Sequence, residues 1–598
     1  MFARLNFLPT IKMNDWGEVY FHQAAARESV LSGTGIPYWC PYVNGGYPLA
    51  SHPYDPSLSP LFPVTLVFGE MVGIRLILFL CFATGLLGMW ALARRVFRFS
   101  YLGSFVSTAV LAVSGWLPMR FFGGNFTECL LYMFPAMMYC VHRGSTNRVF
   151  QFLGGLILYI MLAQGKFTYP VSIFYLFLWW SIEKILSLKS NAKSMTITLQ
   201  TIIISVIISC IFGITKIYLM SGLLQHGLMP IDYRIYDKGL SIYESFSYFY
   251  LFFIKIYNFT HNAVINNGQM NILFNNGPVT ISNSYIGCGG IVFLLCVIWL
   301  IKNLKRNTSL FIIFTITIII SATNYFPIDI FLLLSKIPIF HSIKSPAKYF
   351  NYFLLFVICI GNGGFFNAIN MHPRLNIKNF IVVFMLIMMI FPAIKNNASI
   401  IPLAFTESAP KQWARSEKFF NVDYGDLYPN LKQRYGIVKR WCGNIVLPTA
   451  VSPAFICTKL EKQPGDMVGC DGPYAPNPSY AGEVRLKNGN GLVSFFSIDF
   501  NVITLGVSLF APDTVIVNQN PAPGWKSDRG KITRQDGLMA VEFDKPFTGY
   551  IHFIYRPSHI RSLLALNIVA VFLLLLWTFH PLLRKKSFER PSALSAIS

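Results

Sequence analysis

Long apolar runs separated by short charged connections fill most of the chain. Runs long enough, or nearly so, to cross about 30 Å of hydrocarbon as helices lie at about 72–92, 101–118, 126–141, 149–164, 167–183, 196–220, 284–301, 308–325, 347–368, 378–394 and 562–580. They predict a polytopic α-helical membrane protein with about eleven crossings. The connections carrying Arg94, Arg95 and Arg98; Arg143 and Arg148; Lys184, Lys189 and Lys193; Lys302, Lys305 and Arg306; Arg374 and Lys378; and Arg584, Lys585 and Lys586 are every second one. Short Lys/Arg-rich loops stay in the cytoplasm, so this set is placed inside. Left outside are 1–71, the turns near 119–125 and 165–166, the loops 221–283 and 326–346, and the segment 395–561. This orientation puts the N-terminus outside with no apolar run ahead of it, so a further membrane helix is expected upstream of Met1.

The segment 395–561 has a different pattern, with Pro, Gly, Asn and Asp breaking short alternating runs. Runs at Thr514–Asn518, Leu538–Phe543 and Tyr550–Tyr555, with turn signals at Pro523-Gly524 and Asp536-Gly537, predict strands of a β-sandwich-like domain. The expected organisation is an extracytoplasmic first loop with interfacial helices (1–71) and a helical core (72–394). An extracytoplasmic β-rich domain (395–561), a last crossing (562–583) and a cytoplasmic tail (584–598) follow.

Composition agrees with this pattern. With 54% hydrophobic and 13% charged residues, the chain is too apolar for a soluble core of this length. The net charge of +23 is dispersed among alternate loops rather than gathered in one groove, which argues against nucleic acid as a partner. Most cysteines sit in apolar runs, where a thiol acts as a small hydrophobe; Cys442, Cys457 and Cys470 leave room for one disulfide whose pairing stays open.

The residues with the most chemical promise lie at 14–63, dense in Trp, Tyr, Pro and Gly, as suits a shaped loop at the membrane interface. Glycosyl transfer from a lipid-linked donor needs a carboxylate near the bilayer surface to deprotonate an acceptor hydroxyl. Asp15 is the best-placed candidate, with Glu18 one helical turn on, although Asn14 or Asp15 equally suits a helix cap. Asp55 is a weaker second and reads as an Asx-turn residue. His52, Asn125 and Glu128 are candidates to line the same outer cavity, Glu128 because an ionisable group at the edge of an apolar run is costly. Beside a helix N-terminus, Glu128 also has an ordinary interfacial reading. No phosphate-binding Gly loop, Ser/His/Asp arrangement or metal constellation stands out, and the need for a divalent cation is left open.

The same loop carries a family resemblance. Asp15 followed by a short helical run, Pro37-Tyr-Trp39-Cys-Pro41-Tyr42, Gly45-Gly46-Tyr-Pro48-Leu49 and Ser59-Pro60-Leu61 resemble the first extracytoplasmic loop of the bacterial YfhO-like membrane proteins. Those are placed among the GT-C-type polyprenyl-phosphate-sugar-dependent glycosyltransferases. Phe122-Gly-Gly-Asn125 through Pro135 is similar to a further family segment, with Asn125 where His is usual. The stretch Ile337-Pro338-Ile-Phe340 through Lys344-Ser-Pro346-Ala-Lys348 is similar to the family's Arg-x-Pro-x-Arg loop, with Lys at both Arg positions. Pro523-Gly524-Trp525-Lys526 and the strand before Pro557 resemble its terminal β-domain.

The resemblance implies a GT-C-like fold and an inverting transferase that moves a sugar from a polyprenyl-phosphate carrier to a cell-envelope acceptor outside the cytoplasmic membrane. In that reading Asp15 is the general base, and Lys344 and Lys348 hold the donor phosphate, as point charges without the fork of Arg. The ordinary reading of both lysines is interfacial snorkelling. Two other functions compete. A carrier of lipid-linked saccharide needs polar or ionisable groups at mid-membrane depth, and these segments are nearly charge-free apart from Lys216 near one end, which weakens that reading; an envelope scaffold would use the aromatic, Pro-rich surface at 473–480.

Overall fold

The computed structural model describes residues 7–9, 15–145, 147–165, 167–186, 192–227, 290–322, 330–337, 340–343, 346–370, 384–388, 390–391, 394, 405–408, 414–424, 426–438, 450–463, 467–470 and 472–588. Its helices are α1 (Trp16–Leu31), α2 (Phe62–Ala91), α3 (Tyr101–Val113), α4 (Trp116–Phe122), α5 (Phe134–Gly144), α6 (Arg148–Gln164) and α7 (Thr168–Leu186). They continue with α8 (Ala192–Gly227), α9 (Gly290–Lys302), α10 (Thr308–Ala322), α11 (Ile330–Leu334), α12 (Pro346–Asn370), α13 (Leu427–Gln433) and α14 (Ile560–Phe588).

Among the described residues, five helical stretches are long and apolar enough to cross a membrane: Phe62–Val96, Tyr101–Phe121, Ile197–Gly222, Pro346–Ile369 and Ile560–His580. Arg148–Gln164, Ile291–Lys302 and Thr308–Ser321 are shorter apolar helices. The chain is thus a multi-pass helical membrane protein with a sheet-rich C-terminal region, but the expected crossings are not alike. The run at 101–118 breaks between α3 and α4. The run at 126–141 starts as tight 3-10 turns over Thr127–Met133, and the α-helix begins only where Pro135, with no N–H to satisfy, fits the first turn. The run at 378–394 lies partly, and the loop 221–283 mostly, outside the described residues.

Strand β1 (Phe7–Pro9) pairs antiparallel with β2 (Phe405–Ser408), which puts the start of the chain beside the sheet-rich region. Next come β3 (Phe420–Val422), β4 (Tyr435–Ile437), β5 (Phe455–Cys457), the hairpin of β6 (Leu460–Gln463) and β7 (Met467–Cys470), and β8 (Tyr474–Pro476). Strands β4-β3-β5-β8 form a mixed sheet in which β3 runs parallel to both neighbours. The last group is β9 (Val484–Leu486), β10 (Gly491–Asp499), β11 (Val502–Leu509), β12 (Asp513–Val517), β13 (Trp525–Ser527), β14 (Lys531–Gln535), β15 (Leu538–Phe543) and β16 (Phe547–Tyr555).

These eight make two antiparallel sheets, β10-β11-β16-β13 and β14-β15-β12-β9, sharing an apolar core that includes Ile503, Leu505, Val515, Met539, Val541, Ile551 and Phe553. The three strand runs expected from alternation are β12, β15 and β16. The turn between β14 and β15 has positive φ at both Asp536 and Gly537, as a two-residue hairpin requires. The sandwich therefore begins near residue 484; the mixed sheet before it is a separate layer, because its short strands lack the long alternation of β10, β11 and β16.

Residues 33–55 connect the membrane helices to this region. They form little regular structure, so their backbone polar groups need outside partners. The Asn501 side chain donates to the carbonyls of Thr34 and Ile36 and accepts from Trp39 N–H. Asn520 donates to the carbonyls of Asn44 and Gly46. From the membrane side, the fully buried Lys216 of α8 donates to the carbonyls of Ala50, His52 and Asp55 at 3.1, 2.7 and 3.1 Å. A half-buried ionic group reinforces the junction: Lys432 of α13 lies 2.7 Å from both Glu28 of α1 and Glu70 of α2, and Tyr428 donates to Glu70. Glu70 reaches it because α2 breaks at Gly69, whose φ of 77° reverses the chain just before the membrane helix.

Within the sheet region, Glu483 is buried and accepts from Asn421 N–H and from the Asn421 and Asn518 amides. Burial outweighs these bonds and raises its carboxyl from 4.5 to about 7. The folded protein thus holds a proton that the unfolded chain releases, so stability is greatest below about pH 4.5 and declines as pH rises toward 7. Thermal unfolding in detergent between pH 5 and 8 is expected to show a loss on the order of 3 kcal/mol attributable to this group; the slope over that window is expected to flatten in Glu483→Gln.

Candidate active site

Asp15 is the exposed N-cap residue of α1; its carbonyl accepts from Glu18 and Val19 N–H at 3.1 Å, and its side chain makes no cap bond to the helix. Its position is fixed by the loop that follows α4. Asp15 N–H donates to Gly123 O at 3.3 Å, and the buried Trp16 indole donates to Phe121 O at 2.6 Å. Gly124 has φ of 69°, and a Cβ there would stand 2.5 Å from the backbone nitrogens of Asp15 and Trp16. The Gly-Gly-Asn125 motif is therefore the surface on which the start of α1 rests, and Asn125 is buried beside it.

Near the start of α1 lies a polar cluster drawn from separate parts of the chain. Glu128, only 1% exposed, accepts from Thr127 at 3.0 Å and Tyr349 at 3.0 Å and pairs with Lys348 at 2.9 Å. The buried Arg120, stacked over Trp116, contributes its charge from the other side. Tyr54 links this cluster to the first loop. Burial, then the carboxylates of Glu128, Glu18 and Asp15, raise its phenol well above the ordinary value, against a hydrogen bond with Thr127. Tyr54 is thus a neutral hydroxyl surrounded by three acidic side chains.

His52 stacks face to face on His22, ring centroids 4.4 Å apart, and Tyr54 stands edge-on to both. Glu18, His22 and His52 each place one ligand atom within 4.8 Å of the other two. Sequence reading found no metal constellation and passed over His22; the available signal was its spacing of four from Glu18, which puts both on one helix face.

Of the other candidates, Asp55 is fully buried and closes its own turn, accepting from Ser57 N–H and Oγ at 3.1 Å. That is the Asx-turn geometry, and burial raises its carboxyl above the ordinary range despite nearby Lys216 and His22. Its hydrogen bonds to Ser57 are used within its own turn. Lys348 does reach the cluster, but its ammonium already carries Glu128 as counter-ion, so a phosphate there must share it. Lys344 lies outside the described residues. Tyr349 was missed because it sits in an apolar run that reads as membrane core, and Arg120 because it falls in a short turn between two such runs.

No family model matches the chain, and no curated protein matches it. Among solved structures, it is similar to the cryo-EM structure of the arabinofuranosyltransferase AftD from mycobacteria, with 11% sequence identity and a TM-score of 0.43. The match covers 70% of this chain and 29% of that one, so the chain spans less than a third of that enzyme. A likeness of this size fixes neither fold nor activity.

The Glu128–Lys348 pair is testable by a thermodynamic cycle. Glu128→Gln or Lys348→Met alone is expected to cost about 3–5 kcal/mol by stranding the other charge, and the double variant to recover at least about 1 kcal/mol of the summed loss. Thermal unfolding of the four proteins in detergent measures this.

Proposed function

We propose that the chain is a membrane glycosyltransferase that moves a sugar from a polyprenyl-phosphate carrier to a cell-envelope acceptor on the outer face of the cytoplasmic membrane. The observation that carries this reading is the exposed Asp15, whose charge acts on Tyr54 together with that of Glu128, beside the group formed by Glu128, Lys348 and Arg120. In this reading Asp15 takes the proton of the acceptor hydroxyl as its oxygen attacks the anomeric carbon. The bond from that carbon to the phosphate oxygen breaks, and the electron pair leaves with the lipid phosphate. Lys348 and Arg120 stabilise the departing charge, and Tyr54 donates a neutral hydrogen bond beside it. Lys344 is assigned the same phosphate role from the resemblance of its loop.

Two further features support the setting. Cys457 is disulfide-bonded, which suits an oxidising compartment for the sheet-rich region. The bonds from Asn501 and Asn520 put the first loop on the same side as that region. The carrier alternative has little to draw on, because the apolar segments are nearly charge-free and Lys216, near one end of its segment, is engaged by three carbonyls of the first loop.

Membranes bearing Asp15→Asn are expected to transfer labelled sugar from polyprenyl-phosphate donors about 10²–10⁴-fold more slowly than wild type at equal protein level. Unchanged transfer would remove Asp15 from the role of base.

A further inference from the structure

The stacked pair His22 and His52 has no part in the transfer chemistry above, and its surroundings are unusual for core histidines. His22 is 1% and His52 3% exposed, and neither ring nitrogen of His22 makes a hydrogen bond among the described residues. Leaving a buried polar atom without a partner costs about 1–3 kcal/mol. The nearest charged group on its own helix, Glu18, holds its carboxylate 3.8 Å from His22 Nε2, beyond hydrogen-bond range and too close to ignore.

We propose that Glu18, His22 and His52 form a three-ligand site for a divalent transition-metal ion of the Zn2+, Co2+ or Mn2+ class. Two imidazoles and one carboxylate match that class, whereas Mg2+ and Ca2+ prefer all-oxygen shells. Glu18 and His22 come from one face of α1, and His52 from the turn that Lys216 clamps, so the ligands arrive on two independently anchored segments.

The present spacing, up to 4.8 Å between ligand atoms, is wider than the roughly 3.3 Å of a tetrahedral shell and closes with about 1 Å of side-chain movement. One ring must also turn out of the parallel stack, whose interplanar angle is 14°. His52 Nδ1 now accepts Tyr54 N–H at 3.2 Å, a bond that ligation through Nδ1 replaces. Of the surrounding charges, Asp55 acts on His22 and Asp15 and Glu128 flank Tyr54. The cations Lys348 and Lys216 are turned to Glu128 and to backbone carbonyls. Three protein ligands leave at least one coordination position open.

The test is metal content and spectroscopy, independent of the transfer reaction. Full-length protein in detergent is stripped with chelator, reloaded with Co2+ or Zn2+, and assayed by elemental mass spectrometry. The expected result is one ion per chain, with affinity reduced more than about tenfold in His22→Ala and His52→Ala. Pulsed electron paramagnetic resonance of the wild type loaded with Mn2+ is expected to show coupling to imidazole nitrogen, a readout that needs no variant to fold. No stoichiometric binding, no nitrogen coupling, or unchanged affinity in His22→Ala would overturn the proposal.

Discussion

An irregular stretch of backbone beside a bilayer has nowhere to leave its polar groups, and the fold depends on how residues 33–55 satisfy theirs. Asn501 and Asn520 reach in from the sheet-rich region, and Lys216 reaches up from a membrane helix; between them they bond seven carbonyls. Each of these donors is itself buried, so losing one strands its partners without water to replace it. The first loop is therefore shaped from both sides at once. Neither the helical bundle nor the sheet region alone explains why His52 and Tyr54 point where they do.

That double anchorage also explains the composition of the site. Its members come from α1, from the turn at 52–54, from the segment between α4 and α5, and from the start of α12. Such a cluster holds charges in a setting where burial is costly only because each charge has a counter-charge or several donors: Glu128 has Lys348, Tyr349 and Thr127, and Glu70 has Lys432 and Tyr428. The second group ties α1 and α2 to α13.

Much of this was legible in the sequence, for physical reasons. Apolar length marks helices, and the runs at 72–92, 196–220, 347–368 and 562–580 all became long ones. Alternation marked β12, β15 and β16, where one face of each strand is buried. The Trp, Pro and Gly density of 14–63 marked a shaped loop. What could not be read were relations across the chain. Glu128 was suspicious as a charge near an apolar run, but its partner Lys348 is 220 positions away in sequence. His22 lay in an unremarkable helical run, and only the fold sets it against His52. The mixed sheet at 420–476 has strands of three residues, too short for alternation to show.

The central claim is that the cluster near Asp15 receives the lipid-linked donor. A photoreactive polyprenyl-phosphate-sugar analogue, cross-linked to the purified protein and mapped by mass spectrometry, tests it most directly. Labelling confined to peptides containing 52–54, 120–128 and 346–349, and displaced by unlabelled donor, is the predicted result; displaceable labelling at other peptides, or none at all, would contradict it.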